Sequence, residues 1–253
     1  YAIVPARADT GYVRLYIGNG EQMEEYTSDS KFNYQFKRNV TTIVGQQGMQ
    51  GREDGSYATS KLQRTWFLLT DKDGSVFFVD EGRGTEKNGA LRRARNGEVE
   101  TLVQCSSGPF QSPTALAFSP QQDTLYISNY SYTDETNTVT DFNVIYVTRE
   151  GGFVDVRGLC RGVKIGTTGI AVHPHTGEVF FSNKGDGYIW RYVGPGYEDY
   201  EKLFQINNAT GVETRMVFNK EGTILYVVAC NRHCIYKVPY DASTHSFGAP
   251  ELF

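Results

Sequence analysis

The stretch "KDGSVFFVD", residues 72–80, decides the fold because similar stretches return three more times along the chain. Each copy is a short turn of polar and glycine residues followed by an apolar run. The other copies are "QQDTLYISN" (121–129), "HTGEVFFSN" (175–183) and "KEGTILYVV" (220–228). Successive copies lie 49, 54 and 45 residues apart, measured between the equivalent positions Val76, Leu125, Val179 and Ile224. The chain therefore contains an internal repeat.

Each copy is the second of four apolar runs that together form one repeat unit. The first runs are 67–71, 115–119, 169–173 and 215–219, the third runs are 90–94, 144–148, 188–193 and 234–238, and the fourth runs are 98–103, 153–158, 200–204 and 249–253. Four short strands at a period of about 40–50 residues are typical of β-propeller blades. The second run is apolar on both faces, as expected of a strand that neighbouring blades cover on both sides. The sequence therefore predicts an all-β fold, a β-propeller of four-stranded blades.

The composition of the chain argues against some classes of binding partner. Of the 253 residues, 39% are hydrophobic and 21% are charged, which is a globular rather than a disordered composition. The formal net charge is −4 and no run of five basic residues occurs, so the sequence predicts no nucleic-acid partner. The longest basic cluster, "LRRAR" at 91–95, is predicted to be the solvated face of a strand. No stretch of about 18 apolar residues is present, so no membrane-spanning helix is predicted.

Two of the four cysteines, Cys230 and Cys234, lie in one short stretch on either side of His233. A metal site would need further nitrogen or sulfur ligands at finger-like spacing, and the other two cysteines belong to different repeat units. We expect the cysteines to be small buried fillers. A disulfide between Cys230 and Cys234 is the alternative, although a bridge between residues four apart is geometrically demanding.

The repeat units resemble NHL-repeat propellers. Residues 40–103 carry the resemblance: a "TTIVG" strand, a glycine- and Asp-rich linker containing "DG", the strand "DKDGSVFFVD", and a basic third strand followed by "VETLV". "CNRHCIYKV" at 230–238 resembles the third strand of such repeats. The resemblance implies that residues 38–253 form NHL-like blades. The second unit lacks the basic third strand, and no unit carries every position of the family pattern.

Residues 1–37 resemble the C-terminal part of an IPT/TIG domain, an immunoglobulin-like sandwich. The matching features are "IVPARADTGYVRLYIGN" and "KFNYQF", with alternating aromatic residues in the second stretch. A TIG domain followed by NHL repeats resembles the exported surface lipoproteins of Bacteroidetes. That resemblance implies an outer-membrane surface or periplasmic location, a lipid anchor outside these residues as the only membrane attachment, and outer-membrane importer proteins as partners.

One apolar strand stands outside the four units. Residues 41–44 have the pattern of a fourth strand but precede the first full unit, where they would complete the last blade of a larger ring. We therefore expect these residues to be part of a longer protein with about six blades. A closed four-bladed ring is the alternative.

Loop lengths place the candidate binding face. The turns between first and second strands are short, whereas the connections at the opposite ends of the strands include the long segments 45–65 and 129–143. Long loops on a rigid scaffold commonly carry binding residues. The predicted ligand-binding residues on this face are Asp80, Glu81, Asn129, Tyr130, Tyr132, Asn183, Lys184, Asn231 and Arg232.

No catalytic residues are predicted, because no nucleophile has an evident base beside it in the sequence. The main hypothesis is a non-catalytic surface module that captures a glycan or peptide for nutrient import. The first alternative is a propeller hydrolase or lyase that depends on a divalent metal, with Ca²⁺ held by Asp80, Asn129 and Asn183, since oxygen ligands suit this ion. In the competing interpretation these three residues bind neighbouring backbone at strand ends. The second alternative is a structural or adhesive spacer.

Overall fold

The computed structural model describes residues 11–18, 23–32, 42–80, 89–105, 110, 112–130, 142–163, 166–206, 211 and 213–253. The chain divides into two compact units, residues 1–42 and 43–253. No helix in these described ranges is long and apolar enough to cross a membrane.

The described residues of the first unit form an antiparallel hairpin. Its strands are β1 (Gly11–Gly18) and β2 (Met23–Phe32), and the side chains of β1 are mostly exposed. A two-stranded hairpin alone has little independent stability in water. The immunoglobulin-like assignment of residues 1–37 stays a prediction.

The described residues of the second unit form four antiparallel sheets that follow the four repeats. The first sheet holds β3 (Gly55–Ser56), β4 (Thr65–Thr70), β5 (Val76–Asp80), β6 (Ala90–Arg95) and β7 (Glu98–Gln104). The second holds β8 (Pro113–Phe118), β9 (Thr124–Asn129), β10 (Phe142–Thr148) and β11 (Arg157–Arg161). The third holds β12 (Thr167–Val172), β13 (Val179–Asn183), β14 (Tyr188–Tyr192) and β15 (Tyr200–Gln205). The fourth holds β16 (Thr214–Phe218), β17 (Ile224–Ala229), β18 (Cys234–Asp241), β19 (Ser246–Phe247) and β20 (Glu251–Leu252).

The sheets pack face to face as propeller blades. One apolar cluster joins the first and second blades through Phe77 and Leu125, another joins the third and fourth through Phe180 and Leu225, and all four side chains are fully buried. The first strands β4, β8, β12 and β16 together line a cavity of about 400 Å³. The predicted all-β fold of four-stranded propeller blades is confirmed.

The fourth strand of the second blade differs from the prediction. It was expected at 153–158, whereas β11 spans Arg157–Arg161. Phe153 instead lies in a turn with a φ of 64°, and its buried ring contacts the rings of Phe77 and Phe118. The side chain therefore fills the core between two blades rather than a position in a strand.

The basic cluster at 91–95 is only partly a solvated face, so that prediction is wrong for Arg92. Arg92 is 0% exposed, whereas Arg95 is exposed. The register explains the difference, because Arg92 pairs with Phe78 in the middle of the blade. A buried guanidinium needs partners, and Arg92 has Asp80 and Asp54.

All four cysteines are free thiols. Cys105 and Cys160 are buried, and burial raises the pKa of each thiol to about 12. The filler prediction is confirmed for these two and wrong for Cys230, which is exposed in the 3₁₀ turn Cys230–Arg232 before β18.

A carboxylate clamp joins the third and fourth blades on the side of the short turns. Glu178 accepts hydrogen bonds from the Tyr240 hydroxyl at 2.6 Å, the Arg191 guanidinium at 2.8 Å and the Thr176 hydroxyl at 2.7 Å, and the His245 ring lies 3.0 Å away. Burial raises the pKa of Glu178, but the hydrogen bonds from Tyr240, Thr176 and His245 outweigh it, so the pKa lies below its usual 4.5. The stability that this carboxylate contributes is complete above pH 4.5 and is lost as the pH falls through the lowered pKa.

The Glu178→Gln variant tests this clamp. At pH 7 it should lower the free energy of unfolding by about 1–3 kcal/mol, since the buried hydroxyl of Tyr240 loses a charged acceptor. Part of the acid sensitivity below about pH 4.5 should disappear with it. Urea unfolding at pH 7 and pH 4 measures both effects, with Glu150→Gln in an exposed turn as the control. An unchanged pH dependence in Glu178→Gln would contradict the clamp.

Candidate functional site

The starts of the first strands β4, β8, β12 and β16 line one cavity, and we call this end of the blades the channel mouth. In each blade, the last residue of the second strand is polar or small and pairs with the first residue of the first strand. The pairs are Thr65 with Asp80, Pro113 with Asn129, Thr167 with Asn183, and Thr214 with Ala229. The residue after the first member of each pair is the second residue of the first strand in every blade. These residues are Trp66, Thr114, Thr168 and Arg215, and all four line one cavity of about 230 Å³.

Bulges set three of these four residues apart. The register shifts near the start of β4, β8 and β12, whereas β16 pairs with β17 without a shift. A bulge inserts an extra residue on one strand, and Trp66, Thr114 and Thr168 lie within these shifts. Arg215 instead pairs with Val228, as Phe67 pairs with Val79, although it lines the same cavity as Trp66.

The rest of the mouth cavity comes from residues beside these strand ends: Arg64, Tyr130, Lys184 and Glu213. Two guanidinium groups lie close to the Trp66 ring, with the Cζ of Arg64 4.8 Å and the Cζ of Arg215 5.3 Å from its centroid. Both distances are within the range of cation–π interactions. The first and fourth blades thus contribute to one aromatic and cationic surface.

Two cations of the cavity are held in place by the protein. Arg215 donates from Nη1 to the carbonyl oxygens of Thr168 at 2.7 Å and Thr214 at 2.8 Å. Lys184 forms an ion pair of 2.5 Å with Glu213. These contacts fix the side chains in the orientation that lines the cavity.

The Tyr130 ring rests against the backbone of the next blade. Gly166, which has a φ of 24°, lies so close that any Cβ atom at this position would overlap the ring. The ammonium group of Lys184 lies 5.9 Å from the ring centroid. The absence of a side chain at residue 166 therefore positions the aromatic wall of the cavity.

The described residues that line the mouth cavity carry a net positive charge, because they include three cations and one carboxylate. A concave surface focuses the field of such charges and raises the local concentration of anions. Guanidinium groups bind carboxylates with directional, charge-assisted hydrogen bonds. Together with the aromatic rings, this arrangement suits a ligand with an acidic group and an apolar ring face.

The structure brings together only part of the predicted site. Tyr130 and Lys184 line the mouth cavity, while Asn183 lines an adjacent cleft. Asn231 supports Glu213 by accepting its backbone N–H at 3.3 Å. Arg232 is exposed in the 3₁₀ turn. Two of the predicted residues, Glu81 and Tyr132, lie outside the described residues.

The three residues of the calcium alternative are occupied with backbone contacts. Asp80 is fully buried and accepts the backbone N–H groups of Gln63 and Arg64 besides its ion pair with Arg92. The amide oxygen of Asn129 accepts from Ser112 and its amide nitrogen donates to the carbonyl of Phe142, and the amide oxygen of Asn183 accepts from Gly185. These contacts are those of the strand-end interpretation, and they do not fit a calcium site. Within the described ranges, no three or more His, Cys, Asp or Glu side chains are placed to hold a metal ion.

The sequence analysis missed most of the mouth cavity, namely Arg64, Trp66, Thr114, Thr168, Glu213 and Arg215. One sequence signal was present. The residue just before the first apolar run is polar or aromatic in each unit, namely Trp66, Thr114, Thr168 and Thr214. Since the first strands line the channel of a propeller, the start of each first strand is the natural place for a channel-mouth residue.

No protein-family model and no curated protein matches this chain. Among solved structures it is similar to an auxiliary nutrient binding protein from Bacteroides thetaiotaomicron, with 26% identity, a TM-score of 0.71, and coverage of 98% of this chain and 57% of that chain. An auxiliary nutrient binding protein from Bacteroides ovatus has 20% identity and a TM-score of 0.72, with coverage of 96% of this chain and 56% of that chain.

A gluconolactonase from Xanthomonas campestris, at 18% identity and a TM-score of 0.53, covers 73% of this chain and 60% of that chain and shares the fold alone. The chain thus spans little more than half the length of the two nutrient binding proteins. The NHL and IPT/TIG assignments stay predictions, and what the comparisons show is an all-β propeller fold shared with nutrient binding proteins of Bacteroides.

Proposed function

We propose that this chain is the ligand-binding propeller of a non-catalytic nutrient binding protein, and that its ligand is an acidic saccharide held at the channel mouth. The observation that carries the proposal is the mouth cavity, in which Trp66 and Tyr130 lie among Arg64, Lys184 and Arg215. Aromatic rings stack on the apolar faces of sugar rings, and the cations bind the carboxylate. The fold shared with two proteins described as nutrient binding supports the general role.

The setting is part of the same proposal. A protein that captures nutrient saccharides works outside the cytoplasm, at the outer-membrane surface or in the periplasm, and passes its ligand to an importer in the outer membrane. The NHL-like blades in residues 38–253 would carry the site and the TIG-like segment in residues 1–37 would belong to a spacer. Protease treatment of intact cells that express the full-length protein tests the location, since a surface protein is degraded and an internal one is protected.

Titration with glucuronic acid and with its methyl ester tests the site. The acid should bind and the neutral ester should bind much more weakly. The Arg215→Met variant should weaken binding of the acid by about 10–100-fold, because a hydrogen bond to a charged group contributes about 1.5–3 kcal/mol. Lys72→Met, in an exposed turn on the opposite side of the blades, is the matched control and should leave affinity unchanged.

Three results would overturn the proposal or part of it. Equal binding of acid and ester would remove the role of the cations. Binding of an acidic peptide but of no acidic sugar would show that the ligand is a peptide rather than a saccharide. Conversion of the probe into a new product, seen by chromatography after incubation, would overturn the non-catalytic role.

A further inference from the structure

A third cavity, of about 450 Å³, lies between the second and third blades. Its lining residues are Gly162, Val163, Asn183, Gly185, Asp186, Trp190 and Tyr200. The second blade contributes the two residues that follow β11, and the third blade contributes the end of β13, the β13–β14 turn and the strands β14 and β15. We call this cavity the interblade cleft.

The wall of the interblade cleft on the third blade is aromatic. The rings of Trp190 and Tyr200 meet edge to face with their centroids 5.2 Å apart. The indole nitrogen of Trp190 is buried and has no hydrogen-bond acceptor in the described structure. Buried polar groups are normally hydrogen-bonded, so an orphaned N–H next to a cavity indicates a missing acceptor. A ligand oxygen or an ordered water is the kind of group that supplies one.

The polar groups of the cleft are held in fixed positions. The carboxylate of Asp186 accepts the backbone N–H of Tyr188 at 3.0 Å and pairs with Lys202 at 3.0 Å. The ammonium group of Lys202 also lies 4.9 Å from the centroid of Trp190. The cleft thus combines a rigid aromatic wall with oriented oxygen and nitrogen atoms, the mixture that uncharged sugar rings require.

The interblade cleft and the mouth cavity share one wall. The turn between β13 and β14 is closed by a hydrogen bond from the Gly187 N–H to the carbonyl of Asn183 at 2.9 Å. Lys184 in this turn lines the mouth cavity, whereas the next two residues, Gly185 and Asp186, line the cleft. Consecutive residues of one tight turn therefore line two different cavities. A ligand of several sugar units would reach from the mouth cavity into the interblade cleft by passing over this turn.

We infer that the interblade cleft is a second subsite, which takes an uncharged sugar ring of the same saccharide whose acidic unit lies at the channel mouth. This inference rests on the proposed function and adds the ligand's length and its neutral part. The ring would pack on the aromatic wall of Trp190 and Tyr200, and a hydroxyl oxygen would accept the orphaned indole N–H. Specificity then comes from two separated features: an acidic unit and a neutral unit at a set distance from it.

The chain carries two tryptophans, one in each cavity, so each site has its own reporter. In a nitrogen–proton correlation spectrum of the ¹⁵N-labelled wild-type chain, the two indole signals are assigned with the Trp66→Phe and Trp190→Phe variants. The probes are glucuronic acid and aldotetraouronic acid, which is glucuronic acid linked to three xylose units. Glucuronic acid should shift the Trp66 signal alone, and aldotetraouronic acid should shift both signals.

Affinity gives the second measurement. Trp190→Phe keeps an aromatic ring but removes the N–H donor. It should therefore weaken the binding of aldotetraouronic acid by about five- to tenfold, as expected for one hydrogen bond, and leave the affinity for glucuronic acid unchanged. Tyr226→Phe in the fourth blade, where the ring packs on Phe253, is the matched control. Equal weakening of both probes by Trp190→Phe would overturn the subsite, because it would reveal a general structural role.

The failure of this inference is distinguishable from the failure of the proposed function. If aldotetraouronic acid at saturation shifts the signal of Trp66 but not that of Trp190, the cleft is no subsite and the mouth remains a binding site. If neither acidic probe shifts either signal, both the cleft and the mouth proposals are overturned.

Discussion

Replacing Arg92 with methionine should lower the free energy of unfolding by about 3–5 kcal/mol, the cost of breaking a buried ion pair by removal of one partner. Both members of the central pair, Arg92 and Asp80, are 0% exposed, and Nη1 of the arginine lies 3.2 Å from the carboxylate. Methionine has a similar length and leaves little empty volume. The loss therefore comes from the carboxylate, which stays buried without its counter-charge.

The same guanidinium also fastens the segment that precedes β4. Its Nη2 donates to the carbonyl of Glu53 at 3.1 Å and to the carboxylate of Asp54 at 2.9 Å, and its Nη1 donates to the carbonyl of Lys61 at 2.7 Å. A segment with little regular secondary structure is thus held against the blade by one side chain. Limited proteolysis should therefore cut residues 50–62 faster in Arg92→Met than in the wild type.

Urea unfolding measures the effect, with Arg95→Met on the same strand as the control, because Arg95 is exposed. The control should stay within about 0.5 kcal/mol of the wild type. The double variant Arg92→Met with Asp80→Asn should recover part of the loss, since it removes the uncompensated charge. A change of less than about 1 kcal/mol in Arg92→Met would refute the role assigned to the pair.

Phe153→Ala should cost about 3–5 kcal/mol, the range for removal of a large aromatic side chain from a core. The ring is 2% exposed, with centroids 4.9 Å from Phe77 and 6.2 Å from Phe118. It also lies 5.2 Å from the guanidinium of Arg149, which pairs with Asp71 in the neighbouring blade. The residue thus joins the first two blades from within a turn.

The matched control for this variant is Val154→Ala, at an exposed neighbouring position. It should change the free energy of unfolding by no more than about 0.5 kcal/mol. Thermal or urea unfolding distinguishes the two variants. Equal stability of both would show that the turn, rather than the buried ring, determines the packing at this place.

The fold could be predicted from the sequence because its signal is repeated. Stretches such as Val76–Val79 are apolar on both faces, and four copies at a near-constant period leave few alternatives to blades. Single residues with an unusual environment could not be predicted. Arg92 is charged and yet buried, and Phe153 is apolar and yet in a turn, because each is determined by partners distant in sequence rather than by its neighbours.

The candidate site divides in the same way. Tyr130 and Lys184 were predicted because each follows a second strand, where the repeat fixes the position. Trp66 was missed because it lies at a β-bulge just before its apolar run, and Arg215 was missed because it was counted as part of an apolar run. A bulge depends on the backbones of two strands, which the pattern of one strand does not encode.

The missing side chain at residue 166 has a consequence for how relatives of this protein could diverge. Because a Cβ atom there would overlap the Tyr130 ring, a side chain at 166 and a large ring at 130 exclude each other. A single substitution at residue 166, just before the third blade, would therefore change the cavity wall that Tyr130 of the second blade supplies. The ligand preference of a relative could change in this way while the charged residues of the cavity stay the same.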